Sequence, residues 1–158
     1  MKPPRIEAAP AMLLAGLRQQ HDMAGAEASI PEQWRRFREL GLVGSRGGPT
    51  YGATAGASRD GFEYLTGVEV ESFGGLPDGL GRMRVPAQTY AVFAHEANVS
   101  SLGSTWQHIW REWLPGSGYE DAETPPFERY GPEFDAGTGE GGFEIWFPVR
   151  EARSAPTA

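Results

Sequence analysis

Large apolar side chains at Trp106, Ile109, Trp110 and Trp113 recur at helical spacing, and this stripe predicts a helix that ends at Leu114 and Pro115. A second stripe, Ile30, Trp34, Phe37 and Gly41, follows Ser29. The Ser29 hydroxyl and Glu32, three residues on, have the spacing of a reciprocal N-terminal cap, with Pro31 in the first turn. Glycines between 41 and 48 stop that helix. Elsewhere the pattern is strand-like: residues 12–20, 50–54, 62–70, 82–96 with a break near Pro86, 127–131 and 143–149. Segments 74–81 and 115–126 read as turn-rich connections, and 137–142 as a hairpin turn. The last is glycine-rich, yet it lacks the Lys-Ser/Thr of a phosphate loop and opens no helix.

The pattern occurs twice. Trp34 and Phe37 match Trp106 and Ile109, Tyr51-Gly52 matches Tyr130-Gly131, and Phe62, Glu63 and Val68 match Phe143, Glu144 and Val149. Each half, about 4–72 and 82–150, reads strand, helix, strand, strand, and the common order points to duplication. The expectation is one α+β domain over residues 1–150. Its duplicated units would form a largely antiparallel sheet with two helices on one face and a central ligand cleft on the concave face where the halves meet. Residues 151–158 read as a disordered tail.

Composition narrows the chemistry. A chain of 158 residues suits a single core. Its 21 acidic against 14 basic side chains, formal charge −7, oppose a phosphate backbone and welcome cations, so no direct nucleic-acid partner is expected. There is no cysteine, and His21, His95 and His108 lack ligand spacing, so neither thiol chemistry nor a metal or other cofactor is expected. The apolar run near residues 8–17 is broken by Pro10 and reads as strand. No segment is long enough to span a bilayer, and a soluble cytoplasmic protein is expected. Arg35, Arg36 and Arg38 form a solvated helix side, His108 faces solvent, and His95 is a hydrogen-bonded core histidine.

Carboxylates set among aromatics are the candidate chemistry. Alternation puts Glu128 and Tyr130 on one strand face, with Phe127 and Arg129 on the other; Glu144 shares a face with Trp146. Tyr51, Tyr64, Trp106 and Trp110 are further wall candidates, whereas Trp34 and Trp113 are assigned to the core and Glu63 to a solvated edge. By residue pattern alone Glu128 is either a cleft acid or a rim glutamate in an ordinary ion pair. An ionised carboxylate in an aromatic cleft needs a cation or tyrosine hydroxyls to offset its lost hydration.

The ordered set Leu14 to Arg18, Tyr51-Gly52, Tyr64 to Val68, Val85 to His95, the tryptophan helix, Gly118-Tyr119, Glu128 to Tyr130 and Glu144 to Val149 resembles the gyrase-inhibitor-like (GyrI-like) small-molecule-binding domain, also called the AraC-type effector-binding domain. That resemblance implies a duplicated fold whose cleft takes up hydrophobic, often cationic, multidrug-like compounds, with the pocket glutamate carried over to Glu128. Relatives occur fused to a DNA-binding helix-turn-helix or alone. Here the ligand domain uses up the chain, so a stand-alone protein that senses or sequesters its ligand is expected. The resemblance also implies two alternatives. One is hydrolysis of cyclopropane-bearing toxins, with Glu128 and Tyr130 catalytic; the other is regulation through a protein partner, DNA gyrase or a separately encoded regulator.

Overall fold

In the computed structural model, which describes residues 2–42, Gly44 and 48–152, the chain runs β1 (Arg5–Ala9), β2 (Met12–Asp22), α1 (Ala26–Leu40), β3 (Thr50–Ala55), β4 (Gly61–Val70), β5 (Gly81–Val85), β6 (Gln88–His95), α2 (Leu102–His108), β7 (Tyr119–Asp121), β8 (Phe127–Tyr130) and β9 (Phe143–Glu151). Two prolines govern how these join. Pro10 separates β1 from β2 and Pro86 separates β5 from β6; a residue without an amide proton cannot carry a ladder onward, so the chain changes partner at each. β1 crosses to pair with β6 of the second half, and β5 crosses to pair with β2 of the first. The result is an antiparallel nine-stranded sheet in the order β1-β6-β9-β8-β3-β4-β2-β5, with β7 added to β9. The halves therefore meet at the β8–β3 seam. The α+β class and the antiparallel sheet agree with the sequence pattern; β1 and β7 are additions to it.

Period-two alternation gives the sheet two aromatic faces. Ala91, Phe93, Tyr130, Phe143, Ile145, Phe147 and Val149 face the helices, where Trp34, Trp106, Trp113 and the fully buried Ile109 pack on them. The other face carries Leu14, Tyr51, Leu65, Tyr90, Val92, Phe127 and Trp146 as a second cluster. Each fully buried Phe, Leu or Ile contributes about 1.5–3 kcal/mol, so both faces stabilise the sheet. The expected match of Tyr51 with Tyr130 fails in space. Tyr51 stands opposite Arg129 and faces away from the helices, whereas Tyr130 faces them.

α1 starts at Ala26 behind Gly25, a turn earlier than the Ser29 signature predicts, and Ser29 caps no amide. Its hydroxyl is bound instead to His21, at the end of β2. Gln33 commits its amide nitrogen to the carbonyls of Leu17 and Tyr64, so its side-chain oxygen accepts from His21 Nε2–H, and His21 Nδ1 is hydrogen-bonded at 2.6 Å to the Ser29 hydroxyl, which also reaches the Gly25 carbonyl at 3.0 Å. The second half repeats the device. His95, at the end of β6, accepts from the Thr105 hydroxyl at 2.7 Å and donates to the Asn98 carbonyl at 3.0 Å. A buried histidine thus ties each helix to the strand before it. Gly41, at φ 64°, ends α1 as the sequence predicts, its amide donating to the Arg38 carbonyl.

The tryptophan helix is compound. Asn98 caps a 3-10 turn, Val99–Ser101; α2 follows, then a π-helical turn, Ile109–Trp113, and a last turn, Leu114–Gly116, that contains Pro115 instead of stopping before it. Residues 137–142 make the expected hairpin turn, closed by the Asp135 amide on the Glu140 carbonyl at 2.8 Å. β9 runs on to Glu151, opposite Tyr119. Most of the expected tail, residues 153–158, lies outside the described residues.

Replacing His21 with alanine strands the Gln33 carbonyl in the core and is expected to cost about 1–3 kcal/mol. The same change at His108, which is paired with exposed Glu112, should stay within about 0.5 kcal/mol. Urea denaturation of both variants checks the contrast.

Candidate functional site

β8 sends Glu128 and Tyr130 toward the helices, and two strands away Tyr64 on β4 points the same way. Between them lies β3, where Gly52 is paired with both Glu128 and Thr66. A Cβ at position 52 would stand 1.9 Å from the Tyr64 hydroxyl oxygen and 2.9 Å from Glu128 Oε1. The missing side chain is therefore what lets the Tyr64 hydroxyl pass over β3 and donate to Glu128 Oε1 at 2.5 Å; Tyr130 donates to the same oxygen at 3.1 Å. The triad spans the seam, with Tyr64 from the first half and the other two residues from the second.

Glu128 is 2 % exposed, and among the described residues no lysine, arginine or histidine forms an ion pair with it. Burial therefore dominates its ionisation and pushes the carboxyl up to about 7, against the pull of the hydrogen bonds from Tyr64 and Tyr130 and of the neighbouring Trp106 indole. Both tyrosines are pushed well above their ordinary value, first by burial and then by the neighbouring carboxylate, so they remain donors. The walls come from the helices. Trp34 of α1 meets Tyr130 edge-on at 5.1 Å and Tyr64 at 6.4 Å, and Trp106 of α2 bears on Glu128 and Phe147. These two tryptophans hold equivalent positions in the repeat. What this arrangement offers chemically is a desolvated acid with neutral donors, aromatic surroundings and, among the described residues, no counter-charge.

Of the eight residues expected to line one cleft, seven divide between two places and Trp110 lies at neither. Glu128, Tyr130, Tyr64 and Trp106 come together beneath the helices. Tyr51, Glu144 and Trp146 stand on the helix-free face, where the Trp146 indole donates to Glu144 at 3.2 Å and Glu144 is paired with Arg5 at 2.8 Å and Arg129 at 3.7 Å. Alternation reports which residues share a face and leaves open which face the helices cover; the registers Phe127–Trp146 and Glu128–Ile145 put Glu128 on the Ile145 face, and the helices pack on that face. Trp110 is 47 % exposed, touching Phe147 with its ring from the outside. Ile109 holds the centre of the inward stripe, and Trp110, the next residue, is turned away from it. Trp113 packs on Phe93 and Tyr119, as a core assignment requires, and Glu63 is a partly exposed partner of Arg18. Trp34, assigned to the core, packs on the helix-side cluster and stands at the triad as well. Its signal was the repeat match with Trp106, and the signal for Gly52 was its place beside Tyr51 in a strand.

The duplicated halves, two tryptophan-bearing helices over an antiparallel sheet, and an enclosed acid at the seam define an effector-binding domain of the GyrI-like type. The family model described as Cass2, integron-associated effector binding protein, matches residues 5–149, and the chain belongs to that family. The transcriptional regulator BrlR of Pseudomonas aeruginosa is 32 % identical over 133 residues, 82 % of this chain and 48 % of that protein. A DNA gyrase inhibitor of Erwinia billingiae is 36 % identical over 80 residues, 49 % of this chain and 51 % of that one. The chain thus spans about half the length of the curated relatives it matches. In fold it is similar to SAV2435 solved with tetraphenylphosphonium, at TM-score 0.74 and 16 % identity over 95 % of this chain and 94 % of that one. It is also similar to the integron cassette protein VCH_CASS2 from Vibrio cholerae, at TM-score 0.70 and 17 % identity over 94 % and 97 %. Among the described residues no helix is long and apolar enough to cross a membrane, and no cluster of His, Asp and Glu is arranged to hold a metal.

Folding raises Glu128 from its ordinary 4.5 to about 7, so the folded chain holds a proton that the unfolded chain has released between those values. That contribution is fully present below about pH 4.5 and is lost as pH rises through about 7, on the order of 3 kcal/mol in all. Urea denaturation from pH 5 to 8 should show the decline in the native chain and its loss in Glu128→Gln. Gly52→Ala, which displaces the Tyr64 donor, should move the Glu128 titration still higher, read by carboxyl NMR.

Proposed function

We propose that the chain binds hydrophobic organic cations in a site centred on Glu128, between the sheet and the two helices. The observation that carries this reading is a fully enclosed carboxyl that has hydrogen-bond donors and, among the described residues, no counter-cation. Left alone, such a group gives up its charge by taking a proton. A delocalised cation with an apolar shell supplies the missing charge at little hydration cost of its own, and Trp34, Trp106, Tyr64 and Tyr130 offer ring faces and edges to receive it. The fold likeness to a protein solved with tetraphenylphosphonium supports the choice of ligand class. Because Glu128 is closed off in the ligand-free state, entry requires one of the tryptophan-bearing helices to shift, and the ligand draws on its binding energy to hold that open state. Such a domain serves sensing or sequestration equally, and the regulator relative supports a sensing role.

The near-neutral carboxyl beside Tyr64 favours a second reading, hydrolytic opening of a strained cyclopropane. Protonated Glu128 would donate to the ring carbon as the C–C bond breaks. Its carboxylate would then take the proton from the water that adds to the other carbon. Mass spectrometry of a cyclopropane-bearing electrophile should show the gain of one water, lost in Glu128→Gln; no such product leaves binding alone.

Tetraphenylphosphonium and neutral triphenylphosphine oxide, titrated by calorimetry, test the binding reading. Glu128→Gln should weaken the cation by at least about tenfold and the neutral compound by less than about threefold. Since a proton and the cation compete for the carboxylate, affinity for the cation should rise from pH 6 to pH 8 in the native chain and stay flat in Glu128→Gln. Equal losses for the two compounds would reject the reading.

A further inference from the structure

The helix-free face carries a second aromatic-acidic arrangement, separated from Glu128 by the sheet itself. A groove of about 290 Å³ lies there, at the lower limit of the size range of small-molecule sites. Its floor is the stacked pair Phe127 and Trp146, rings 5.5 Å apart and 14° from parallel, with Tyr51 edge-on to Phe127 at 5.6 Å. Its wall charges are Glu7, Glu69 and the adjoining Glu144 against Arg5 and Arg129, three carboxylates to two guanidinia. The groove is therefore aromatic below and carries one negative charge in excess at its sides.

Arg5 shows what such a place accepts. Its planar guanidinium lies 5.7 Å from the centre of the Trp146 ring, donates through Nη1 to Glu144 at 2.8 Å and through Nε to Glu7 at 3.1 Å. This is the environment of a bound planar cation: a ring face beneath and carboxylates at the edge. Yet Arg5 sits on an edge strand whose residues are mostly exposed, and its side chain is itself half exposed, so little holds it there beyond those contacts. Exposed ion pairs of this kind contribute roughly 0–1 kcal/mol. A ligand with the same N–C–N fork and a ring of its own would make the contacts Arg5 makes and add apolar contact with Trp146 and Phe127.

We propose that this groove is a second ligand site, selective for small arylamidinium or arylguanidinium cations, and that Arg5 is a resident cation which such a ligand displaces from Trp146 and Glu144. Arg5 thereby sets the threshold concentration at which the site fills. The site is independent of Glu128, because the sheet separates the two.

Benzamidine and its neutral isostere benzamide are the probes, titrated by NMR at the Trp146 indole resonance and by calorimetry. Arg5→Ala should bind benzamidine at least about tenfold more tightly than the native chain, since the competing cation is gone. Adding Glu144→Gln to Arg5→Ala should reverse that gain, and benzamide should respond to neither change. Glu128→Gln should leave benzamidine binding and the Trp146 response intact; that result separates this site from the one beneath the helices whatever the fate of the latter. Benzamidine binding that is unchanged or weaker in Arg5→Ala, or that disappears in Glu128→Gln, would overturn the proposal.

Discussion

A carboxyl group with no counter-charge among the described residues, buried at the junction of two half-domains, is the constraint around which the molecule is arranged. Water would stabilise Glu128 as an anion, and the fold removes nearly all of it. Two tyrosine hydroxyls on a single oxygen offset part of that loss, which is why the group stays close to the point of ionisation instead of becoming permanently neutral. Each supporting feature has a geometric task with respect to this atom. Gly52 clears the path for one hydroxyl, the β8 alternation delivers the other, and the indoles of both helices exclude solvent.

Rigidity for that task comes from elsewhere in the chain. The helices are not seated by their tryptophans alone, since His21 and His95 anchor each one to the preceding strand through buried hydrogen bonds. These tethers lie at the N-terminal part of each helical segment. The π-helical turn at Ile109–Trp113 lies at the opposite end of the second segment, where Trp110 stands in solvent. Irregular turns of this type recur at functional sites. The second helix is thus firmly held at one end and irregular at the other, an asymmetry that α1, a single regular helix with a left-handed glycine stop, does not share.

Much of this was legible in residue order. Period-two and period-3.6 stretches located both helices and the long strands, and the sharing of one face by Glu128 and Tyr130 follows from alternation alone. Other features were hidden for definite reasons. Ser29 has the spacing of a cap, but a buried histidine competes for the same hydroxyl, and no local pattern discloses that. β1 is short and exposed, so it lacks alternation, and its partner is about 80 residues away. Glu144 and Glu128 look alike in sequence, each a carboxylate among aromatics; only the helices, which cover one face, make one a buried acid and the other a surface ion-pair partner. Gly52 acts by having no side chain, and an absence shows its meaning only when the neighbour that fills the space is known.

The exchange of lead-in strands has an evolutionary reading. A solitary half-domain would leave the outer edge of its first strand unpaired, and two identical copies could complete each other by donating those strands, forming the same eight-strand path about a true two-fold axis. Covalent fusion makes that assembly independent of concentration. It also lifts a restriction that exact symmetry imposes: in a pair of identical chains any acid close to the axis appears twice, and two like charges would confront each other in the dry interior. In the fused chain Glu128 occurs once at the seam, and the residue directly across the ladder from it is glycine. A single charge at the centre of an almost symmetric body is something only the duplicated and then diverged chain can hold.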